Sequence, residues 1–586
     1  MNEIADRSRR IGNAGARSRA LAGALLAATL LGVFAVLAWR NSQPRTAFPY
    51  PNCTWEYHVL AAAASEKDEG FWRSYFLPPV YTPDYYAPWK TAVYTHLPPF
   101  SENVFGALLV AGVDTVHGLR WFPICLNVAA LAALFAALAL LKNRWFALLL
   151  VWAVLANPFF WMRAHGLYEY AFQLPHQALL LLGLAIYSRY AARWGIALAF
   201  LAAFWQGECT FVYQLQTYFI IIGFLLTESR ERQRWYFLAA LGGPAAFLLH
   251  FAQAALWLRS ISSAVRDLFL IYLLRANASG PDVAHAANIP QYHSFSAAMA
   301  DLARILSHET GIGGWFFAPA GFALALLALA ALRKGERPDR ANFIRCLFLF
   351  AGSMLWFLVM PEAFHNDRHA AFHQLSLALA VSLAVPVYAF GALAKEAVAG
   401  NRRAAPAAAV VGLVAATLCW LAGTDLKTYW QKERAILASY TEPGPRFEKS
   451  LLGVGRSVGL DGVEWVGLFS RQTPDAEKYR RRSCRENEGD LCRNPTQGLK
   501  FFAWVEQQPR AVRVRLTCAE PGDTRLAFRR VGPEEATGEL LGETLVTHFA
   551  GGEITVPLAP LAGRIFTLTI GPEACASYVI ERVIVD

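Results

Sequence analysis

The sequence predicts a polytopic α-helical membrane protein that ends in a β-rich extracytoplasmic domain, and three observations lead there. Hydrophobic residues make up 55% and charged residues 17% of the 586 residues, which fits a membrane body joined to a water-exposed part. Apolar segments of ~20 residues recur as far as residue 422. From residue 498 onward, short alternating segments separated by Gly- and Pro-containing turns replace them. The predicted domains are therefore 1–424, in the membrane, and 425–586, which resembles a β-sandwich.

The apolar segments predict about eleven spanning helices, since ~20 residues cross ~30 Å of hydrocarbon. The segments are 20–39, 119–141, 144–161, 170–189, 194–208, 213–227, 236–256, 311–333, 342–360, 370–394 and 403–422. The first segment is too long for the core of a signal peptide, and Trp39-Arg40 stands where a small-residue cleavage site would be. We therefore expect it to be an anchor whose N-terminus is cytoplasmic.

Basic residues alternate between successive loops as the positive-inside rule requires. The loops predicted inside carry the basic clusters at 142–144, 189–193, 230–234, 333–340 and 395–403. These clusters account for much of the net charge of +10, so the basic balance indicates topology and not nucleic-acid binding. An odd number of crossings places the C-terminal domain outside. The predicted location is the bacterial inner membrane, with that domain in the periplasm.

The C-terminal domain contains the predicted strands and four cysteines. The strands are expected at 511–518, 524–530, 553–557, 564–570 and 578–585. The cysteines are Cys484, Cys492, Cys518 and Cys575. An even count in an oxidising compartment predicts disulfides with three alternative pairings, of which Cys484 with Cys492 is favoured by proximity. Free thiols are the alternative.

Two outside loops, 40–118 and 257–310, are long enough to indicate function. A helix predicted over 56–72 places Glu56 near the membrane and Asp68-Glu69 about three turns further on. Carboxylates here can act as a general base or hold a metal ion; a solvated charged loop is the alternative. His96, before Pro98-Pro99, can bind phosphate when protonated or a metal when neutral, or simply precede a helix.

Residues 100–118 are moderately apolar and contain several polar side chains, which predicts a helix lying at the membrane interface.

Three shorter outside turns add polar residues on the same predicted side. The turn 157–170 carries Arg163, His165 and Glu169, which predict either an interfacial ion pair or a site shared with the first loop. The turn 205–210 adds Glu208, which could equally be a helix contact. In 361–369, His365 and Arg368 precede a long apolar helix. A guanidinium at a helix N-terminus favours phosphate binding, with snorkelling charge and capping as the alternative.

These motifs, in their order and shared sidedness, resemble the GT-C superfamily of integral-membrane glycosyltransferases over roughly residues 20–400. The nearest branch contains the protein O-mannosyltransferases, the aminoarabinose transferases of lipid A and bacterial core-sugar transferases. The matching positions are Asp68-Glu69 or Glu56-Tyr57-His58 for the acidic motif, His96-Leu97-Pro98-Pro99-Phe100, Gly118 and Arg120, Pro158, Arg163 and Glu169, and Arg368-His369. The sequence departs from the family pattern at Leu97, at His369 and in the acidic motif.

The resemblance implies transfer of a sugar from a polyprenyl-phosphate donor to a lipid-linked glycan, lipid A or core sugar, or a protein. It implies a carboxylate base among Asp68, Glu69, Glu56 and Glu169, and donor-phosphate contacts from Arg368, His365, His96 and Arg163. A divalent metal ion, with Asp68, Glu169 and His96 as candidate ligands, stays open.

Three other functions remain open. One is a transporter or flippase of a lipid-linked sugar, which would place polar residues at mid-membrane. The others are an O-antigen-type glycan polymerase or ligase and a non-catalytic assembly protein.

Overall fold

The computed structural model describes most of the helical part of the chain and seven strands of the C-terminal part. The described residues are 2–42, 59–60, 62–63, 66–67, 70–78, 95, 98–113, 115–275, 296–297, 300, 337–359, 368–402, 404–441, 458–460, 463–468, 499–505, 511–530, 540–557, 565–570 and 578–585.

The described part of the chain up to Thr441 is almost entirely helical. The helices are α1 (Asn2–Ser42), α2 (Phe100–Val110), α3 (Val116–Leu141), α4 (Arg144–Leu155), α5 (Pro158–Arg163), α6 (Gln173–Tyr190), α7 (Arg193–Cys209), α8 (Gln214–Leu225), α9 (Arg230–Ala240), α10 (Gly242–Leu258), α11 (Ile261–Arg275), α12 (Arg337–Val359), α13 (Arg368–Val398) and α14 (Ala404–Thr441). Short 3-10 turns precede α2, α6 and α8, at Phe71–Ser74, Glu169–Phe172 and Phe211–Tyr213.

Seven of the eleven predicted spanning segments each fall on one helix, and 311–333 lies outside the described residues. The segment predicted over 144–161 is divided between α4 and α5, and 236–256 is divided between α9 and α10. The segment predicted over 170–189 begins in the 3-10 turn before α6. Within the described part of the chain, five helical segments are long and apolar enough to cross a membrane. They are Ser18–Ser42, His117–Leu141, Arg230–Leu258, Ser376–Val398 and Ala404–Gln431. Four further apolar helices are shorter, among them Arg144–Leu155 and Gln214–Leu225. The count of eleven spans therefore stays a prediction.

Two predicted segments of the first outside loop need correction. The helix predicted over 56–72 is helical at its described positions up to Lys67, but a 3-10 turn replaces it from Phe71. The interfacial helix predicted over 100–118 is split into α2 and the start of α3. The break lies at Gly112, whose φ of +90° ends α2 because L side chains rarely adopt it.

Close packing of α6 on α7 shows how the bundle holds together. A Cβ added to Gly183 would lie 2.5 Å from the carbonyl oxygen of Gly195, and one added to Gly195 would lie 2.6 Å from that of Gly183. The two backbones therefore touch, as small residues allow between membrane helices. Around this contact, α3 packs on α6, α8 on α12 and α13 on α14, and they share one large apolar core.

A second, smaller core lies at one end of the bundle and joins elements far apart in sequence. Its buried members are Val59, Leu60, Ala63, Phe105, Leu109, Leu119, Leu167, Tyr168, Tyr170, Phe172, Cys209 and Tyr213. It therefore binds the first outside loop to α2, to the start of α3 and to the 3-10 turn before α6. We call this the outer core, because its loops are those predicted to lie outside.

The C-terminal part contains one antiparallel sheet of seven strands among the described residues. The strands are β1 (Val458–Leu460), β2 (Val463–Leu468), β3 (Leu499–Val505), β4 (Ala511–Arg530), β5 (Leu540–Pro557), β6 (Ile565–Ile570) and β7 (Tyr578–Val585). Their order is β1-β2-β3-β6-β4-β5, and β7 pairs with β4.

The strands predicted over 511–518 and 524–530 are one strand, because the Pro521-Gly522 region forms an irregularity in the β4–β5 ladder. Bulges bend a strand without ending it. The sandwich stays a prediction, as does the division at residue 424; α14 continues unbroken through that boundary.

Candidate functional site

The segment between α4 and α6 is built by side chains that fix both of its ends. Asn157 caps α5: its Oδ1 accepts a hydrogen bond from the amide of Phe159 at 3.0 Å. Pro158 occupies the first turn, where a missing N–H has no consequence. From α3, buried Asn127 donates through Nδ2 to the carbonyl oxygens of Ala164 at 3.4 Å and Ala171 at 2.8 Å. The residues between them, including His165 and Glu169, are thereby held against the start of α3.

Three buried guanidinium groups meet at this end of the bundle. Arg40 lies in the last turn of α1, Arg120 lies in the first turns of α3, and Arg163 is the last residue of α5. Their exposed fractions are 3%, 1% and 5%. Arg163 lies over the ring of Tyr170, 4.9 Å from its centroid. Arg40 is already paired with Glu433 of α14, so the candidates for binding an anion are Arg120 and Arg163, because arginine binds anionic oxygens through paired N–H groups.

His165 lies within the electrostatic reach of two of these groups. Burial lowers the pKa of His165 well below its usual value, and the charges of Arg40 and Arg120 lower it further. The imidazole is therefore neutral at physiological pH. It can accept a proton or a hydrogen bond but adds no positive charge.

Two glutamates of the first outside loop lie close enough beside the outer core for the charge of Glu102 to act on Glu66. Glu66 is 2% exposed, and among the described residues neither of its carboxylate oxygens has a hydrogen-bond partner. It fits against α2 only because position 106 is glycine: a Cβ there would collide with Oε2 of Glu66. Burial, with a smaller contribution from the charge of Glu102, raises the pKa of Glu66 well above its usual value. Burial also raises the pKa of Glu102, to about 7.

These raised pKa values predict that the first loop packs more tightly at low pH. A carboxyl group whose folded pKa lies above its unfolded pKa stabilises the fold below the unfolded value of about 4.5, and this contribution is lost as the pH rises through the folded pKa. After correction for the intrinsic pH dependence of amide exchange, the protection factors of residues 59–77 in nanodiscs are expected to be higher at pH 5 than at pH 8. Glu102→Gln removes one of the two titrating groups and is expected to flatten this dependence. An equally steep dependence in the variant would contradict the assignment.

Further carboxylates surround Cys209, at the end of α7. Glu169, Glu208 and Glu102 all lie close enough to act on the Cys209 thiol electrostatically. The Cys209 Sγ itself lies 3.3 Å from Nε2 of His176. Acids from the first loop, from the 157–172 segment and from α7 therefore lie within electrostatic range of the same thiol. Among the described residues, no three His, Cys, Asp or Glu side chains are placed to hold a metal ion together.

The residue before His96 is firmly held. The Thr95 carbonyl lies 2.8 Å from Nε2 of His250, in α10, and its hydroxyl donates to Oδ2 of Asp267, in α11, at 2.6 Å. Pro98, two residues after His96, is buried again at the start of α2. This part of the loop is thus anchored to two helices that the sequence did not connect with it.

The structure brings together only some of the residues that the sequence singles out. Arg163 and Glu169 lie at the outer core, at 5% and 7% exposure. Arg368 begins α13, and Cys518 lies in β4, but their side chains are not among those described. Outside the described residues lie Glu56, Asp68, Glu69, His96, His365, Cys484, Cys492 and Cys575. In the other direction, the structure adds Arg40, Glu66 and Glu102 to the site, and it shows that Arg120, which the sequence matches to the family pattern without a role, is buried there.

Comparison with known proteins gives a similarity at the level of the fold. No protein-family model and no curated protein matches the chain. Among solved structures, the oligosaccharyltransferase of Archaeoglobus fulgidus with a tethered acceptor peptide is similar at 14% identity and a TM-score of 0.38, over 78% of this chain and 59% of that one. The chain thus spans less than two thirds of that protein's length. ArnT from Cupriavidus metallidurans, bound to undecaprenyl phosphate, is similar at 14% identity and a TM-score of 0.41, over 70% and 76% of the two chains.

At these values the likeness carries no argument about donor, acceptor or chemistry, and those rest on the residues described above.

Proposed function

We propose that this protein is a membrane glycosyltransferase that moves a sugar from a polyprenyl-phosphate donor to an acceptor hydroxyl outside the cytoplasm. The observation that supports it best is the outer core, where buried guanidinium groups and buried carboxylates meet at one end of an apolar bundle. Sugar transfer from a lipid phosphate needs both charges close together: a cation for the leaving phosphate and a base for the acceptor.

The guanidinium cluster serves the donor phosphate. Arg163 was predicted for this role, and Arg120 lies at the same end with 1% exposure. Arginine binds phosphate oxygens through paired N–H groups, and its charge stabilises a phosphate as it departs. Arg368, His365 and His96 extend the proposed phosphate site from other loops.

A carboxylate of the first loop acts as the base. It takes the proton of the acceptor hydroxyl, whose oxygen attacks the anomeric carbon while the bond from that carbon to the phosphate oxygen breaks. Polyprenyl phosphate leaves. Glu56, Asp68 and Glu69 remain candidates, and Glu66 joins them because burial raises its pKa above the usual value, which makes its carboxylate a stronger base. Glu169 supports the base or helps to hold a divalent cation.

The remaining parts of the proposal follow from the sequence. Residues 1–424 form the catalytic membrane domain, and residues 425–586 form a periplasmic domain that binds glycan or positions the acceptor. The acceptor is a lipid-linked glycan, lipid A or core sugar, or a protein. The membrane is the bacterial inner membrane, and the cysteine pairings are those predicted above.

One observation favours a carrier of lipid-linked sugar as the second candidate. A polar ladder crosses three helices of the bundle: Gln177 donates to Gln216 at 2.6 Å, and Gln216 donates to the hydroxyl of Ser353 at 2.6 Å. Polar groups within the membrane body are typical of transport pathways. This ladder is hydrogen-bonded within itself, however, which equally suits a structural role.

Transfer from a radiolabelled polyprenyl-phosphate sugar, measured in membranes, tests the proposal. Wild type is compared at matched expression with Glu56→Gln, Glu66→Gln, Asp68→Asn, Glu69→Gln and Glu169→Gln. We expect one first-loop variant to lose transfer by about 100-fold or more, because general base catalysis contributes about 10²–10⁴-fold. Glu231→Gln, an exposed acid at the start of α9, is the control and is expected to retain transfer. Unchanged transfer in all five variants, or none in wild type with any donor, would favour the carrier.

A further inference from the structure

The buried face of α14 is apolar in the earlier part of the helix and becomes polar further along. Val411, Leu418 and Ala422 are buried earlier in the helix. Asp425, Tyr429 and Glu433 then follow at a spacing of four residues, at 6%, 0% and 4% exposure. Residues this far apart lie on one face of a helix. We call residues 425–441 the stem, because they are the last helical residues before the described strands.

Two residues of this polar face, Tyr429 and Glu433, contact the side chain of Arg40 in the last turn of α1. Nη2 of Arg40 lies 2.6 Å from Oε1 of Glu433 and donates to the hydroxyl of Tyr429 at 2.8 Å. The guanidinium carbon also lies 5.4 Å from the ring centroid of Trp430. Arg40 is 3% exposed, so this ion pair is removed from water. Breaking a buried pair on one side leaves the other charge uncompensated, which is far costlier than at a surface.

The same guanidinium reaches the candidate site. Nη1 of Arg40 donates to the carbonyl oxygen of Trp161, in α5. The Trp161 ring contacts the Trp430 ring, with centroids 5.5 Å apart. Arg163 ends α5 two residues after Trp161. The charge of Arg40 also contributes to the lowered pKa of His165. One residue therefore touches α5 and the stem together.

We infer that Arg40 is a positioning residue, which locks the stem of the C-terminal domain to α5 and so sets where that domain stands relative to the arginine cluster. The inference rests on the proposed function for its catalytic consequence, but the lock itself does not. Each contact of the lock uses a different feature of the guanidinium: its charge for Glu433, its paired N–H groups for Tyr429 and Trp161, and its flat face for Trp430. A lysine ammonium provides the charge without the fork or the face.

Hydrogen exchange measured by mass spectrometry on the full chain in nanodiscs tests the lock without any substrate. Arg40→Gln and Glu433→Gln are each expected to speed exchange at least tenfold in peptides from 158–172 and from 425–441. Arg434→Gln removes a charge from the exposed side of the same turn and is the matched control, expected to exchange as wild type does. Arg40→Lys is expected to lie between wild type and Arg40→Gln. If Arg40→Gln fails to fold, Arg40→Lys and Glu433→Gln together test the lock.

Transfer rates give the second readout. Arg40→Gln and Glu433→Gln are each expected to reduce transfer, and the double variant to be no worse than the more affected single one, because both break the same contact. Unchanged stem exchange in both single variants, or losses that simply add, would overturn the lock. Faster stem exchange in a protein that transfers no sugar from any donor would overturn the proposed function and leave the lock standing.

Discussion

A Gly106→Leu variant is expected to lose most of its transfer activity, together with the protection of its first outside loop. Any Cβ at this position would collide with the buried carboxylate of Glu66. It would also lie 3.2 Å from the Glu66 Cβ and 3.1 Å from the Phe71 ring, so the collision cannot be relieved by rotating one terminal group. Overpacking of this kind costs about 1–3 kcal/mol. Here the loop segment that carries Glu66 can avoid the collision by moving away from α2. Transfer assays and hydrogen exchange of residues 59–77 measure the two effects.

A smaller substitution and a matched glycine separate this effect from general damage. Gly106→Ala is expected to have the same effects to a lesser degree, because its single methyl group meets the same atoms. Gly32→Leu, in α1, is the control: nothing lies within 4 Å of a Cβ there, so both readouts are expected to match wild type. If Gly106→Leu keeps its loop protection, Glu66 is not packed against α2 as described.

The two glutamates beside Gly106 show how much of the site could be predicted from local pattern. Val59, Ala63 and Glu66 follow the i, i+4, i+7 spacing of one helical face, and all three are buried. On α2, Glu102 shares a face with Gly106 and Leu109 by the same spacing. An acid at an apolar position of a helical pattern was therefore visible in the sequence. The sequence predicts the adjoining Asp68 and Glu69 as candidate bases instead, because this pair matches a family motif.

Arg40 shows what a local pattern could not predict. At the end of the first apolar segment, a basic residue is usually explained by topology or snorkelling. Its hydrogen-bond partner Tyr429 lies 389 residues away, and no spacing rule links positions so distant. The helices themselves were predictable because ~20-residue apolar segments are nearly self-sufficient in lipid. The contacts between loops depend on tertiary packing, which hydropathy does not encode.

Arg120→Gln is expected to reduce transfer by about 100-fold or more, with a raised donor KM. The guanidinium is 1% exposed, and in a water-excluded site a lost positive group near a leaving phosphate typically costs about 10²–10³ in rate. Arg120→Lys keeps the charge but not the paired N–H groups, so it is expected to retain more transfer than the glutamine variant. Arg259→Gln removes an exposed arginine at the end of α10 and serves as the control.

The same substitution is expected to change the titration of His165, which gives a readout independent of sugar transfer. Burial is the main cause of the lowered pKa of His165, and the charges of Arg40 and Arg120 add to it. Removing one charge therefore raises the pKa only part of the way towards its usual value. NMR of labelled histidines, with Arg120→Gln/His165→Gln to assign the signal, is expected to show His165 titrating at higher pH in Arg120→Gln than in wild type, and Arg120→Lys restoring the wild-type behaviour. If the pKa of His165 does not change with the charge at position 120, the arginine cluster is not assembled as described. If transfer is lost without that change in pKa, Arg120 acts away from the proposed phosphate site.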